Sequence, residues 1–317
     1  MWLTGTSDLI ARLRERGAET VALQFPAGLK RQAAQIADEL REAGFFVIIS
    51  GDPCYGACDP ALDLLRYADL LVHFGHTPLV MHPDIIYEPY RVDFDPAVVA
   101  NAFSLLREKA VGIVTTTQHT HLLPAVARVL RDAGYEPVFR TAGGRTPEPG
   151  QVLGCTFEAA RIPGVSEILF IGTGVFHPLG VQLATGAHVV ALDPVSGHVQ
   201  EVDASRYLRK RHAVIGKART AEHIGILVSR KPGQERYALA CRLAALHERA
   251  YLVLMDEVSP DELLNLGFGA YVNTACPRLS YDDQERFPAP VLTPAEFEIL
   301  CGVRDWEEYV VDEMSSG

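Results

Sequence analysis

The chain has 317 residues, 48% of them hydrophobic and 22% charged, an ordinary composition for two or three folded domains and unlike that of a disordered chain. Its 40 acidic against 29 basic residues give a net charge of −11, a poor match to a phosphate backbone, so general nucleic-acid binding is not expected. The first residues lack the basic and then apolar regions of a secretory signal, and the longest apolar stretches, such as 167–176, fall short of the roughly 18 residues a membrane span needs; no membrane association and a cytoplasmic location are expected.

Taken in chain order, the pattern alternates strand and helix. Residues 20–25 are a β-branched run. Residues 29–44 have helical periodicity and end in glycine, followed by a buried-type strand at 45–50 and another at 69–74. Residues 110–116 read as a strand, 119–134 as a helix ending in glycine and 135–139 as a strand. Further strands are expected at 167–172, 188–192 and 223–229. A helix at 234–249, a strand at 251–255 and a last central strand at 270–274 complete the pattern. Short apolar strands separated by helices point to parallel α/β layers. A strand–helix–strand unit closing on a cysteine-bearing loop recurs near residues 58, 155 and 276. Three similar parallel-sheet α/β domains follow, at 1–100, 101–205 and 206–317. The basic stretch 206–219 reads as a solvated helix face, with a contact surface for an acidic partner as the lesser reading.

Six cysteines in a long cytosolic chain suggest metal binding, catalysis or burial rather than disulfides. No CxxC pair occurs, which disfavours a zinc ribbon. Cys54 and Cys58 sit in the shaped loop Gly51-Asp52-Pro53-Cys54-Tyr55-Gly56-Ala57-Cys58-Asp59 after a strand, where open sheets bind ligands. The usual CxxxCxxC cluster motif is absent, because residue 61 is Ala61. Cys155 follows Leu153-Gly154, and Cys276 lies in Asn273-Thr274-Ala275-Cys276-Pro277-Arg278. One thiolate from each of three loops would leave one iron of a four-iron cluster open to an amino-carboxylate ligand. Arg278 suits bidentate pairing with a carboxylate. The segment Ser229-Arg230-Lys231-Pro232-Gly233-Gln234 joins a strand to a helix, whose first backbone N–H groups suit an anion. His73 and His76 offer two imidazoles, but no third ligand is close in sequence. Cys241 reads as core and Cys301 has no supporting motif. Neither a GxGxxG after the first strand nor a P-loop is present.

These stretches, with His73-Phe74-Gly75-His76, resemble the archaeal iron–sulfur enzymes of diphthamide synthesis, the 2-(3-amino-3-carboxypropyl)histidine synthase family, over residues 20–300. The resemblance implies three α/β domains around a central 4Fe-4S cluster held by Cys58, Cys155 and Cys276, with Cys54 outside the ligand set. It implies unconventional radical chemistry on S-adenosylmethionine: the Cγ–S bond breaks, methylthioadenosine leaves, and the 3-amino-3-carboxypropyl group passes to a histidine of translation elongation factor 2. It further implies a homodimer and an electron donor of unspecified identity. Arg278, Gln234 and Arg230 are the residues expected to hold S-adenosylmethionine. Two other readings compete: a non-catalytic metal or small-ligand binding α/β protein, and a quinolinate-synthase-like 4Fe-4S dehydratase, whose motifs are not matched.

Overall fold

The structure is a computed structural model that describes residues 6–281 and 284–314. Its strands form three sheets in chain order. The first sheet contains β1 (Thr20–Gln24), β2 (Phe46–Ile49), β3 (Leu70–Phe74) and β4 (Ile85–Glu88), all parallel, in the order β2-β1-β3-β4. The second contains β5 (Ala110–Thr115), β6 (Glu136–Val138), β7 (Glu167–Ile171), β8 (His188–Leu192) and β9 (Val199–Glu201), in the order β6-β5-β7-β8-β9. Its edge strand β9 runs antiparallel to β8, a departure from the all-parallel expectation. The third contains β10 (Ile224–Ser229), β11 (Ala250–Met255), β12 (Ala270–Asn273) and β13 (Val291–Leu292), all parallel, in the order β11-β10-β12-β13. The helices are α1 (Thr6–Glu15), α2 (Ala33–Glu42), α3 (Leu123–Asp132), α4 (Phe176–Thr185), α5 (Ser205–Ala218), α6 (Tyr237–Ala244), α7 (Pro260–Leu266), α8 (Arg278–Tyr281) and α9 (Pro294–Leu300).

The period-two alternation of side chains divides each sheet between two cores. Val21, Leu23 and Val72 meet Leu9 and Leu13 of α1 and Ile36 and Leu40 of α2, while Ala22, Leu71 and Ile85 face the opposite side. In the second sheet Ile113, Leu169 and Ile171 pack on α3, and Val114, Ile168 and Phe170 pack with Phe157 and Val181. In the third, Ile224, Ile226 and Val228 meet Ile215, Leu243 and Phe297, whereas Leu227 and Tyr271 meet Leu263. Both faces of the central strands are covered, which explains their continuous apolar runs.

The helical readings shorten, and the one expected at 119–134 is 3₁₀ over Thr120–Leu122 and α only over Leu123–Asp132. The expected helix at 29–44 begins as a 3₁₀ segment and becomes α only at Ala33. The one expected at 234–249 spans only Tyr237–Ala244, so Gln234 lies in the loop and not at a helix start. The solvated reading of 206–219 holds for Arg209 and Lys210 but fails at Arg211, which is 2% exposed. Arg211 Nε donates to Glu296 Oε1 at 2.7 Å and its guanidinium also donates to the carbonyls of Ser280 and Val291. It pins α5 to α9 and β13 from the inside. No helix among the described residues is long and apolar enough to cross a membrane.

Candidate functional site

The three loop cysteines come together where the three sheets meet. Burial raises the Cys58 and Cys155 thiols above their ordinary value, and the charge of Cys155 adds to the rise at Cys58. Burial first, and then the charges of Cys58 and Cys155, push Cys276 up to about 12. Without metal, all three thiols are neutral at physiological pH.

Each cysteine reaches this place by its own local device. Cys58 lies nine residues beyond β2, in a loop pressed against the loop that follows β10. Gly233 N donates to the Cys58 carbonyl at 2.9 Å, and Gln234 Nε2 donates to Cys58 Sγ at 3.3 Å. A Cβ added at Gly233 would lie 2.4 Å from the Cys58 Cα and 2.6 Å from its Cβ, so only glycine permits this approach. Lys231 Nζ and Asp59 Oδ2 form a largely buried pair at 2.8 Å, with the ammonium 4.7 Å from the centre of the Tyr55 ring.

Cys155 does not end a strand, contrary to the sequence reading. It sits in the long connection between β6 and β7, in a tight turn closed by pairing of Leu153 with Thr156. Arg145 from the same connection donates to Cys155 Sγ at 3.7 Å and to the Gly233 carbonyl at 3.0 Å, linking the second and third sheets. The extended segment at residues 311–314 crosses this loop: Met314 N donates to the Cys155 carbonyl at 2.7 Å. Asp312 of the same segment pairs with Arg236 at 2.7 Å, and Arg236 donates to the carbonyls of Thr274 and Ala275.

Cys276 follows β12 directly. Asn273 fixes it by donating from Nδ2 to the Cys276 carbonyl at 2.8 Å while its Oδ1 accepts from Ala275 N at 2.9 Å. Arg278 then opens α8, with its guanidinium carbon 4.9 Å from the centre of the Phe176 ring of α4. A Cβ at Gly154 would come within 2.7 Å of that ring and 3.0 Å of Arg278 Cδ. The residue before Cys155 is therefore small for the same reason as Gly233.

Beside Cys276 opens a cavity of about 320 Å³, lined among others by Tyr55, Lys231, Gln234, Glu257, Arg278 and Arg286. Gln234 and Arg278, two of the residues expected to hold S-adenosylmethionine, line this cavity. Arg230, the third, forms an exposed pair with Asp256 at 2.6 Å, and the cation its loop gives to the cavity lining is Lys231. Arg145, Arg236 and the 311–314 segment were absent from the sequence reading, which named Lys231 only as part of its loop. Only Gly154 and Gly233 hinted at the close packing.

His73 and His76 lie at the end of the first sheet, next to Cys54. His73 Nδ1 is 2.8 Å from Gln24 Oε1, its neighbour across the β1–β3 register, and its Nε2 is 2.9 Å from His76 Nδ1. Burial lowers His73 to about 3 and His76 to about 4, so both rings are neutral at physiological pH. Cys241 and Cys301 are only partly buried, and Cys301 packs against the core of the third sheet.

The sequence profile of the diphthamide synthesis protein family matches residues 25–311. The 2-(3-amino-3-carboxypropyl)histidine synthase of Pyrococcus horikoshii is 40% identical over 98% of this chain and 93% of its own length. Subunit 1 of the synthase from Encephalitozoon cuniculi is 32% identical over 98% of this chain and 90% of its own. The crystal structure of Dph2 from Pyrococcus horikoshii with a 4Fe-4S cluster superposes with a TM-score of 0.94 at 36% identity, covering 100% of this chain and 96% of that one. With three sheets in the same arrangement and nearly the whole length matched, the chain belongs to the diphthamide synthesis protein family.

Proposed function

We propose that this chain is a 2-(3-amino-3-carboxypropyl)histidine synthase that uses a 4Fe-4S cluster held by Cys58, Cys155 and Cys276. The observation that carries the reading is the convergence of one thiol from each sheet's loops beside a cavity bearing Arg278 and Gln234. The donor set fits the group. Three thiols share one buried place, and Gln234 and Arg145 each direct an N–H at a sulfur, the kind of outer contact that tunes an iron–sulfur centre. When bound, the cluster supplies an electron to the sulfonium and one iron free of protein ligands.

The chain's own residues bind and orient. Arg278 offers a fork to the carboxylate of S-adenosylmethionine, and Gln234 reaches both Cys58 and the cavity. Glu257 and Asp256, also in the cavity lining, supply acceptors for hydroxyl or ammonium groups. In the overall transfer the Cγ–S bond breaks and methylthioadenosine leaves. A carbon–carbon bond forms to the imidazole of the acceptor histidine, which loses one hydrogen as a proton and an electron. The acceptor is translation elongation factor 2, the initiating electron comes from a separate donor, and the working unit is a homodimer.

The test is anaerobic: reconstituted protein, dithionite, S-adenosylmethionine and purified elongation factor 2. Methylthioadenosine and a mass gain of one aminocarboxypropyl group on the factor are expected. Single Cys→Ala changes at 58, 155 and 276 should each cut bound iron, while Cys241→Ala and Cys301→Ala should not. Release of 5′-deoxyadenosine as the main product, or full iron in Cys155→Ala, would overturn the reading.

A further inference from the structure

A second set of soft donors lies next to the Cys58 loop and has no part in the transfer. Cys54 Sγ and one ring nitrogen each of His73 and His76 all lie within 4.8 Å of one another. Cys54 is 5% exposed and His73 fully buried. The three come from two places in the fold: Cys54 from the loop after β2, and the histidines from the end of β3 and the turn beyond it. Gly75 makes that turn in the left-handed region, at φ 91°, and packs against Pro26 and Leu29. The chain thereby doubles back and brings His76 to His73.

Hydrogen bonds around Gln24 decide which nitrogen of His73 carries its proton. Gln24 Nε2 donates to the Asp59 carbonyl at 2.8 Å, and its Oε1 accepts from Ala61 N at 3.0 Å. Those two backbone contacts fix the amide, so the group facing His73 Nδ1 is an acceptor and Nδ1 is the donor. His73 Nε2 is left as the acceptor of the pair, its lone pair aimed at His76 Nδ1. An imidazole held by one nitrogen on an oxygen acceptor, with the other free, is how metal-binding histidines are oriented.

We propose that Cys54, His73 and His76 form a mononuclear site for a divalent transition metal, with zinc as its natural occupant, separate from the three cysteines of the cluster. Two imidazoles and one thiolate with a fourth position open are a familiar zinc set. Bonds of roughly 2.0–2.1 Å to nitrogen and 2.3 Å to sulfur set tetrahedral separations of about 3.3 Å between nitrogens and about 3.6 Å from sulfur to nitrogen. The histidine nitrogens now stand 2.9 Å apart. Small ring rotations and a turn of the Cys54 side chain would bring all three to those values. Binding releases one proton, from the Cys54 thiol, and places the His76 proton on its other nitrogen. The metal would tie the 51–59 loop, and with it Cys58, to the end of β3.

The experiment uses holoprotein with its cluster reconstituted anaerobically, then freed of loosely held metal on a chelating resin and given Zn²⁺ or Co²⁺ alone. Zinc and iron are counted separately by elemental analysis, so poor cluster loading shows as missing iron and not as missing zinc. Wild type is expected to retain one zinc per chain beyond its iron. The cobalt form should show a thiolate-to-cobalt charge-transfer band and tetrahedral d–d bands. Cys54→Ala and His73→Gln should lose the zinc and the band and keep wild-type iron, whereas Cys241→Ala keeps all three. Cys54→Ala leaves the Gln24–His73 pair intact, so it carries the test should His73→Gln fail to fold. Zinc retained equally by wild type and Cys54→Ala, or by neither, overturns the site and leaves a histidine pair joined by one hydrogen bond.

Discussion

Replacing Gly233 by alanine tests whether the contact between the first and third sheets' loops holds Cys58 in place. Gly233 does not adopt a left-handed backbone, so alanine is free of backbone strain there and the change reports on space alone. The added Cβ would sit 2.4 Å from the Cys58 Cα and 2.9 Å from its carbonyl oxygen, which a folded chain resolves only by moving the loops apart. Overpacking of this kind costs about 1–3 kcal/mol, and losing the bond from Gly233 N to the Cys58 carbonyl adds about 1 kcal/mol. The sum is about 2–4 kcal/mol, and at about 2–3 °C per kcal/mol the thermal midpoint falls by roughly 4–12 °C. Gln234 moves with its neighbour, so the contact to Cys58 Sγ goes too and iron retention after anaerobic reconstitution drops. Gly51→Ala, in the same loop with open space around it, is the control and should change neither quantity. Wild-type iron and an unchanged midpoint in Gly233→Ala would refute the packing argument.

Arg211→Met should cost about 3–5 kcal/mol, because Glu296 is left charged, buried and unpaired, while Arg209→Glu on the exposed face stays within about 0.5 kcal/mol; equal effects in denaturant titrations would place Arg211 at the surface. Arg278→Lys keeps its iron but loses roughly ten- to a hundredfold in methylthioadenosine release, since a lysine cannot reproduce the fork and a charge-assisted contact is worth about 1.5–3 kcal/mol; unchanged turnover would remove Arg278 from carboxylate binding. Burial opposes ionisation of Glu148, but hydrogen bonds from Arg91, Thr120 and Thr117 outweigh it and lower its pKa. A lowered acid contributes stability above its unfolded value of about 4.3 that is lost as pH falls through the folded one, so the thermal midpoints of wild type and Glu148→Gln should differ at pH 7 and converge as pH falls through that lowered value, whereas a constant gap would exclude the mechanism.

The strands were legible because their side chains are apolar on both faces, as at 224–228 and 167–171, and a parallel sheet covered on both sides requires that. Short edge strands such as β13 carry too few residues to show a period, and β9 is mostly exposed. The three cysteines stood out through their neighbours, Gly154 and Pro277 among them, but their meeting depends on contacts between loops 88 or more residues apart. Arg211 shows the limit of charge runs. It sits between the exposed Lys210 and His212 and looks like them in sequence, and only Glu296, far along the chain, makes its burial tolerable. Cys54 was set outside the cluster ligands by the resemblance, and its nearness to His73 and His76, which come from the end of a later strand and the turn beyond it, was hidden by sequence distance.

The segment at 311–314 has a consequence for the order of assembly. It fastens the Cys155 loop through Met314 and the Cys276 approach through Asp312 and Arg236, yet it is synthesised after all three sheets. While that segment is still inside the ribosome, the second and third loops lack their clasp, so a nascent chain with three finished sheets still presents its thiols loosely. A cluster held at the three thiols would then be secured only once residues 311–314 have packed, after the third sheet is complete.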